Sequence, residues 1–76
     1  MPKLPAISGN ELVSILEGQG FCVLRCKGSH VRMASADGRF VTIPVHGSRD
    51  LPKGLLRAII REDLDISVDQ FLLWIK

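Results

Sequence analysis

The first part of the chain has the hydrophobic spacing of an amphipathic helix. Apolar residues recur there at intervals of three and four: Leu12, Ile15 and Leu16. Ser8 followed by Glu11 is the pattern of a capping box, in which each residue satisfies a free backbone N–H near the start of the helix. Because glycine commonly ends helices, Gly18 and Gly20 indicate the other end. We predict a first helix that begins after Ser8.

Three segments that follow alternate between apolar and polar residues, as half-buried strands do. They cover 21–27, 30–34 and 39–45, and the turn dipeptides Gly28-Ser29 and Asp37-Gly38 separate them. In the first strand, one set of alternating residues is expected to face the core: Cys22, Leu24 and Cys26. In the second strand, the alternation places His30 on the same side as Arg32.

The rest of the chain returns to helical spacing. Pro52 suits the first turn of a helix that runs to about residue 62. One side of that helix is apolar (Leu55, Leu56, Ile59, Ile60) and the other is basic (Lys53, Arg57, Arg61). Ser67 and Gln70 repeat the capping box before a last apolar helix. The order α-β-β-β-α-α predicts an α+β fold, with a three-stranded antiparallel sheet covered on one face by helices.

Length and composition limit the classes of protein. A chain of 76 residues with 46% hydrophobic residues fits one globular domain, covering 1–76. The longest apolar run, 71–75, is far shorter than the roughly 18 residues of a membrane span. The first residues contain no apolar stretch typical of a secretory signal. We therefore expect a cytoplasmic protein that does not act at a membrane.

Charge is distributed unevenly along the chain. The net charge is only +2, but seven of the ten Lys and Arg residues lie between Arg25 and Arg57, together with only two of the eight acidic residues. A basic middle between acidic ends is typical of a protein that binds phosphates.

The two cysteines lie on the first predicted strand. Their Cα atoms would be separated by roughly 13 Å along an extended strand, which excludes a disulfide between them. Cys22, Cys26, His30 and His46 form a possible zinc ligand set, but ligands spaced along one strand do not converge on a single ion. We expect no metal, and we expect reduced thiols buried in the core.

Both histidines stand beside turn glycines within the basic stretch. Histidine has an ordinary pKa near 6.5, so it can exchange protons at cellular pH. From the residues alone, His30 is more often an exposed turn residue than a catalytic group. His46 is open to three interpretations: a conjugate acid, a phosphate ligand or a structural cap of its loop. Ser29 could orient His30 or bind phosphate, although Gly-Ser is also ordinary turn chemistry.

Several spaced motifs together carry a family resemblance. They are Gly28-Ser29-His30, Pro44-Val45-His46-Gly47, the helix 53–60 and the closing segment 66–72. In this order they resemble the HicA family of toxins over nearly the whole chain. The segment 61–65 departs from the family pattern, because it is acidic where a small, glycine-containing connection is usual.

The resemblance implies a double-stranded-RNA-binding-domain-like fold and a ribosome-independent mRNA interferase. It implies that His30 is the catalytic residue and that a HicB-type antitoxin is the inhibitory partner. We expect Gly28 and Ser29 to support the catalytic turn, and we expect no cofactor, because a chain of 76 residues has no room for a large cofactor fold.

The expected RNA contacts are the cations of the basic stretch and its second histidine: Arg25, Lys27, Arg32, His46, Lys53 and Arg57. Each one alone could equally be a solvated surface charge. The chain has no tyrosine, and Phe40, like the other aromatic residues, stands at core-like spacing. We therefore expect recognition through backbone and 2′-hydroxyl contacts rather than base stacking.

Two other functions compete with the ribonuclease. One is a non-catalytic RNA-binding module of the same fold, and the other is an interaction protein whose basic face meets an acidic partner. Because no carboxylate cluster accompanies the histidines, we expect any cleavage to be metal-independent, with a 2′,3′-cyclic phosphate and a 5′-hydroxyl as product ends.

Overall fold

The computed structural model describes residues 3–75 of the chain. The elements follow in this order: α1 (Gly9–Gly18), β1 (Phe21–Lys27), β2 (His30–Ser35), β3 (Phe40–Pro44), α2 (Lys53–Ala58), a π-helical segment (Ile59–Asp63) and α3 (Val68–Trp74). The predicted α+β class and the α-β-β-β-α-α order are confirmed.

The predicted capping box begins α1. The Ser8 hydroxyl accepts a hydrogen bond from the Glu11 N–H at 3.2 Å, and the Glu11 carboxylate accepts one from the Ser8 N–H at 2.8 Å. Both donors would otherwise lack partners at the helix start. Leu12 and Leu16 are fully buried, so the apolar stripe of α1 faces the core as predicted.

The three strands form one antiparallel sheet in the order β1-β2-β3. Its inner face supplies buried side chains to the core: Met33, Val41 and Ile43. Helix α1 contacts β1 and β3, and the π-helical segment contacts β3. The helices therefore cover the inner face, as expected for strands with one apolar side.

A β-bulge in β1 makes one prediction wrong. Val23 pairs with Met33 and Arg25 pairs with Arg32, so Leu24 is the extra residue between them. A bulge of one residue reverses the alternation of the strand beyond it. Cys22, Leu24 and Cys26 consequently do not share the core face.

The prediction of buried thiols is also wrong, because both cysteines are free and exposed. Strand β1 is an edge strand, and only Phe21 among its residues is buried. Cys22 pairs with Ala34, and Cys26 pairs with Val31 on the opposite face. The edge position and the bulge leave neither thiol covered by the helical layer.

Helix α2 begins after Pro52 and continues as a wider turn. The Leu64 N–H donates to the Ile59 carbonyl oxygen at 2.9 Å, a spacing of five residues that defines the π-helical geometry. Together the two pieces span 53–63, close to the predicted helix. Asp65 then has φ of 55°. This left-handed conformation favours glycine, and aspartate is among the other residues that tolerate it.

Arg39 connects the β2–β3 hairpin to Leu64, which follows the π-helical segment, and to Phe21 of β1. Its guanidinium donates to the Leu64 carbonyl oxygen at 2.8 Å and lies 5.4 Å from the centre of the Phe21 ring. It also forms an ion pair of 3.0 Å with Asp37. Although it belongs to the basic stretch of the sequence, Arg39 therefore has structural partners.

Helix α3 packs its apolar side on the core. The Ser67 hydroxyl accepts a hydrogen bond from the Gln70 N–H at 3.1 Å, which is one of the two hydrogen bonds of the predicted capping box. Phe71 is fully buried, and its ring centre lies 6.2 Å from that of Trp74. Within the described residues, the helices lack the length and apolar character needed to span a membrane.

Candidate functional site

The strand register places His30 on the face of the sheet that the helices leave uncovered. His30 lies opposite Lys27 on β1 and Pro44 on β3. Side chains directly opposite each other in an antiparallel sheet point to the same side. The outer face is defined here by these residues: Cys22, Arg25, Lys27, His30, Arg32, Ala34, Phe40, Thr42 and Pro44.

A cavity of about 660 Å³ opens on the outer face around the β1–β2 turn. It is lined by Arg25, Lys27, Gly28, Ser29, His30, Arg32 and Thr42. The cavity thus brings the Gly28-Ser29-His30 motif together with three cations that the sequence spreads over two strands. His30 is exposed to solvent and open to a ligand.

The turn that presents His30 is tight. Gly28 has φ of 60°, whereas Ser29 has no positive φ, which is the pattern of a type II′ hairpin turn with glycine first. The Ser29 carbonyl oxygen accepts a hydrogen bond of 2.6 Å from the Val45 N–H. The second sequence motif, Pro44-Val45-His46-Gly47, therefore holds the turn from the β3 side.

The start of helix α1 packs against the backbone of Pro44 and Val45. A Cβ added to Gly9 would clash with the Pro44 carbonyl oxygen and would lie 3.0 Å from the Val45 Cα. Only glycine allows the helix start to approach the backbone this closely. Sequence reasoning missed Gly9, because nothing local distinguishes it from other glycines at a helix start.

Arg32 is held in place near the centre of the outer face. Its guanidinium donates to the Thr42 hydroxyl at 2.9 Å and lies 5.2 Å from the centre of the Phe40 ring. None of the three strands contains an aspartate or a glutamate. The cations of this face are therefore not neutralised by carboxylates within the sheet.

Phe40 departs from the sequence expectation. Its predicted core-like position is wrong, because half of its surface (50%) is exposed on the outer face. Phe21 and Phe71, by contrast, are buried. Phe40 is the first residue of β3, and it lies opposite Ala34, whose small side chain covers little of an aromatic ring.

The two histidines line different cavities. His46 is exposed and lines a second cavity of about 320 Å³, with Pro44, Arg49, Asp50, Leu51, Pro52 and Leu55. Its carbonyl oxygen accepts a hydrogen bond of 3.1 Å from the Arg49 N–H, which closes a turn in this loop. Pro44, the register partner of His30, lines this second cavity.

A family model described as the HicA toxin of bacterial toxin-antitoxin matches residues 9–64. The chain belongs to the HicA toxin family. A comparison with curated proteins gives no significant match. The matched range contains α1, the sheet and α2, and therefore every residue that lines either cavity in this HicA-family chain.

Membership of the HicA family implies a partner of the antitoxin kind. The match also covers both histidine-containing motifs, and α3 lies beyond it.

Lys53 and Arg57 lie on α2 of the HicA fold, in the helical part of the molecule. Both are exposed, but neither lines the cavity around His30. The structure therefore separates them from Arg25, Lys27 and Arg32, with which the sequence groups them.

The potential metal ligands of the described residues are not clustered in this HicA-family chain. Within residues 3–75, no three or more His, Cys, Asp or Glu side chains are close enough together to hold a metal ion. Cys22 and Cys26 lie on opposite faces of β1, as the bulge requires.

Proposed function

We propose that this HicA-family toxin is an endoribonuclease that cleaves mRNA, with His30 as the general acid–base group. One observation carries the proposal: an exposed His30 and three cations, Arg25, Lys27 and Arg32, line the same open cavity. A phosphodiester entering it would meet positive charge and an imidazole, a side chain that can act as a general acid or base.

RNA supplies its own nucleophile in this reaction. His30 takes the proton of a 2′-hydroxyl, the oxygen forms a bond to the adjacent phosphorus, and the bond from phosphorus to the 5′-oxygen breaks. The leaving oxygen takes a proton from water, and the His30 imidazolium returns its own proton to the solvent, so the products end in a 2′,3′-cyclic phosphate and a 5′-hydroxyl. General acid–base assistance of this kind typically contributes about 10² to 10⁴ in rate.

Arg25, Lys27 and Arg32 act on the phosphate. Their charges bind the strand and offset the negative charge that develops on the phosphate oxygens. The Thr42 hydroxyl accepts a hydrogen bond from the Arg32 guanidinium. Less side-chain conformational entropy is therefore lost when Arg32 binds a phosphate. Gly28 and Ser29 position His30. His46, Lys53 and Arg57 lie outside this cavity, and we assign them contacts with more distant parts of the RNA.

The proposed cleavage needs neither a divalent cation nor a cofactor, because the 2′-hydroxyl is activated by His30. The absence of carboxylates from all three strands supports this proposal. Cleavage that is lost in a chelator and restored by magnesium would contradict it.

The proposed inhibitor is a HicB-type antitoxin that covers the outer face and His30. An acidic protein surface would complement the cations there. Because mRNA is the substrate, both proteins would act in the cytoplasm. A toxin–antitoxin complex that cleaves RNA at the rate of the free toxin would refute this arrangement.

The direct test is the incubation of end-labelled single-stranded mRNA with the purified chain in EDTA. His30→Ala, purified in the same way, controls for contaminating nuclease. Cleavage by the wild type alone, with 5′-hydroxyl product ends and retained RNA binding by the variant, is expected. Equal cleavage by both proteins would remove His30 from the mechanism.

Intact RNA in both reactions, with a gel shift that weakens as salt increases, would instead identify a non-catalytic RNA-binding module. Products with 5′-phosphates would exclude attack by the 2′-hydroxyl.

A further inference from the structure

We propose that Phe40 and Arg32 form a stacking site for a nucleobase of the RNA strand whose phosphate lies at His30. This inference rests on the proposed function and narrows the substrate to RNA that is unpaired next to the cleaved bond. A base within a duplex is already stacked on its neighbours and cannot lie on a protein ring.

The exposure of Phe40 is the first support. Half of its surface is open to solvent, although the chain has a buried core in which Phe21 and Phe71 are enclosed. Residues pointing outward from an open sheet are ordinarily polar, so a large aromatic residue here has no role in folding the core. Aromatic side chains exposed on a sheet are a recurrent means of stacking single-stranded bases.

The second support is the arrangement of Arg32. Its guanidinium lies 5.2 Å from the centre of the Phe40 ring, and Thr42 accepts one of its hydrogen bonds. Guanidinium planes and aromatic rings both stack on nucleobases. The pair therefore presents two flat groups that lie side by side in the absence of a ligand.

The position of this pair relative to His30 is the third support. Residues 30, 32 and 34 follow one another on the outer face of β2, and Phe40 lies opposite Ala34. Four residues of a strand span roughly 13 Å, so Phe40 lies near His30 but beyond contact with the same phosphate. The stacked base accordingly belongs to a nucleotide close to the cleaved bond rather than at it.

Charge favours a nucleic acid strand as the occupant. Arg25, Lys27 and Arg32 share the face with Phe40, and the strands contribute no carboxylate. Cations that follow a backbone beside an aromatic platform are the usual components of a single-strand binding surface. The expectation of recognition without base stacking, drawn from the aromatic spacing, is replaced by this proposal.

Binding should be measured by fluorescence anisotropy with a short labelled single-stranded RNA in the His30→Ala background, so that cleavage does not interfere. Adding Phe40→Ala is expected to weaken binding between about fivefold and about 100-fold, as the loss of one stacked base does. Phe40→Trp should preserve affinity. Phe40→Leu should behave like Phe40→Ala, because leucine keeps apolar bulk without a ring.

Leu73→Ala is the matched control, because Leu73 is another exposed apolar residue (61%) and lies on α3, away from the sheet. It should leave affinity unchanged, and circular dichroism melting should show that all variants fold. In proteins that retain Phe40, replacing single nucleotides of the RNA by abasic ones should weaken binding most at one position. In Phe40→Ala, no single position should have the largest effect.

Several outcomes would overturn the proposal. These are equal affinities for Phe40→Ala and Leu73→Ala, full affinity in Phe40→Leu, or equal sensitivity to every abasic position. Unchanged RNA affinity with weakened binding of a HicB-type antitoxin would assign Phe40 to the protein interface instead. Because binding is measured without cleavage, a wild type that fails to cleave would refute the ribonuclease while leaving this test of Phe40 intact.

Discussion

The backbone N–H of Val45 donates a hydrogen bond of 2.6 Å to the carbonyl oxygen of Ser29. This contact joins two sequence motifs that are far apart in the chain, the turn before His30 and the segment after β3. The start of α1 then packs on the same backbone through Gly9. The position of His30 therefore depends on Val45 and Gly9, neither of which lines the cavity around it.

Gly9→Ala should destabilise the protein. The added Cβ would clash with the Pro44 carbonyl oxygen and crowd Val45, so α1 or the end of β3 must move. Overpacking of this kind typically costs about 1–3 kcal/mol, measured as the free energy of unfolding in urea. Cleavage should fall as well, because Val45 holds the turn of His30.

Gly54→Ala is the control for this prediction. Gly54 lies in α2, and an added Cβ would meet no atom within 4 Å. Alanine should therefore stabilise the helix by about 0.5–1 kcal/mol. A Gly9→Ala variant as stable as Gly54→Ala would show that the close approach of α1 is not restrictive.

Gly28→Ala should also be destabilising, for a different reason. An added Cβ would meet nothing within 4 Å, but φ is 60° at this position. An L-residue in this region costs about 1–2 kcal/mol, and asparagine costs less than alanine. Thermal unfolding should rank wild type above Gly28→Asn and Gly28→Ala last. Gly18→Ala, at a position without positive φ, should not be destabilising.

For a short RNA that covers the outer face without reaching α2, Lys27→Ala should change the salt dependence of binding more than Lys53→Ala. Lys27 lines the cavity around His30, whereas Lys53 lies on α2 outside it. Removing one phosphate contact to a single strand should reduce the slope of log affinity against log salt by about 0.7. Titrations at several salt concentrations measure it. Equal slope changes in both variants would place Lys53 on the same RNA path.

Asp37→Asn should lower stability at neutral pH but not in acid. Hydrogen bonds from the Ser35 hydroxyl and from Arg39 lower the pKa of the Asp37 carboxyl from its usual 3.8. A carboxyl with a lowered pKa in the folded state stabilises the protein above the unfolded-state pKa, and this stabilisation is lost as the pH falls through the folded-state pKa. The melting temperatures of the wild type and of Asp37→Asn, measured from neutral pH downward, should converge at low pH. A constant difference would contradict the assignment.

Local patterns predicted most of the secondary structure, because their causes lie within a few residues. The Ser8–Glu11 capping box, the buried Leu12 and Leu16, and the Asp37-Gly38 turn all depend on neighbours along the chain. The Gly28-Ser29 dipeptide likewise predicted a turn directly before His30, and the structure has this turn between β1 and β2.

Predictions for β1 were wrong because its register depends on another strand. The bulge at Leu24 appears only when β1 is paired with β2, and it reverses the faces of the residues on either side. Edge position also depends on the assembled sheet, so the exposure of Cys22 and Cys26 has no signal in their own segment.

The sequence by itself determined the order of helices and strands, the basic middle of the chain and the family to which it belongs, since these depend on residue type and short-range spacing. Only the tertiary structure decided which cations join His30, that His46 lines a separate cavity, and that Phe40 is exposed beside Arg32. Those facts follow from strand pairing and from the side of the sheet that the helices cover. Both are set by contacts between segments distant in the chain, which local spacing does not encode.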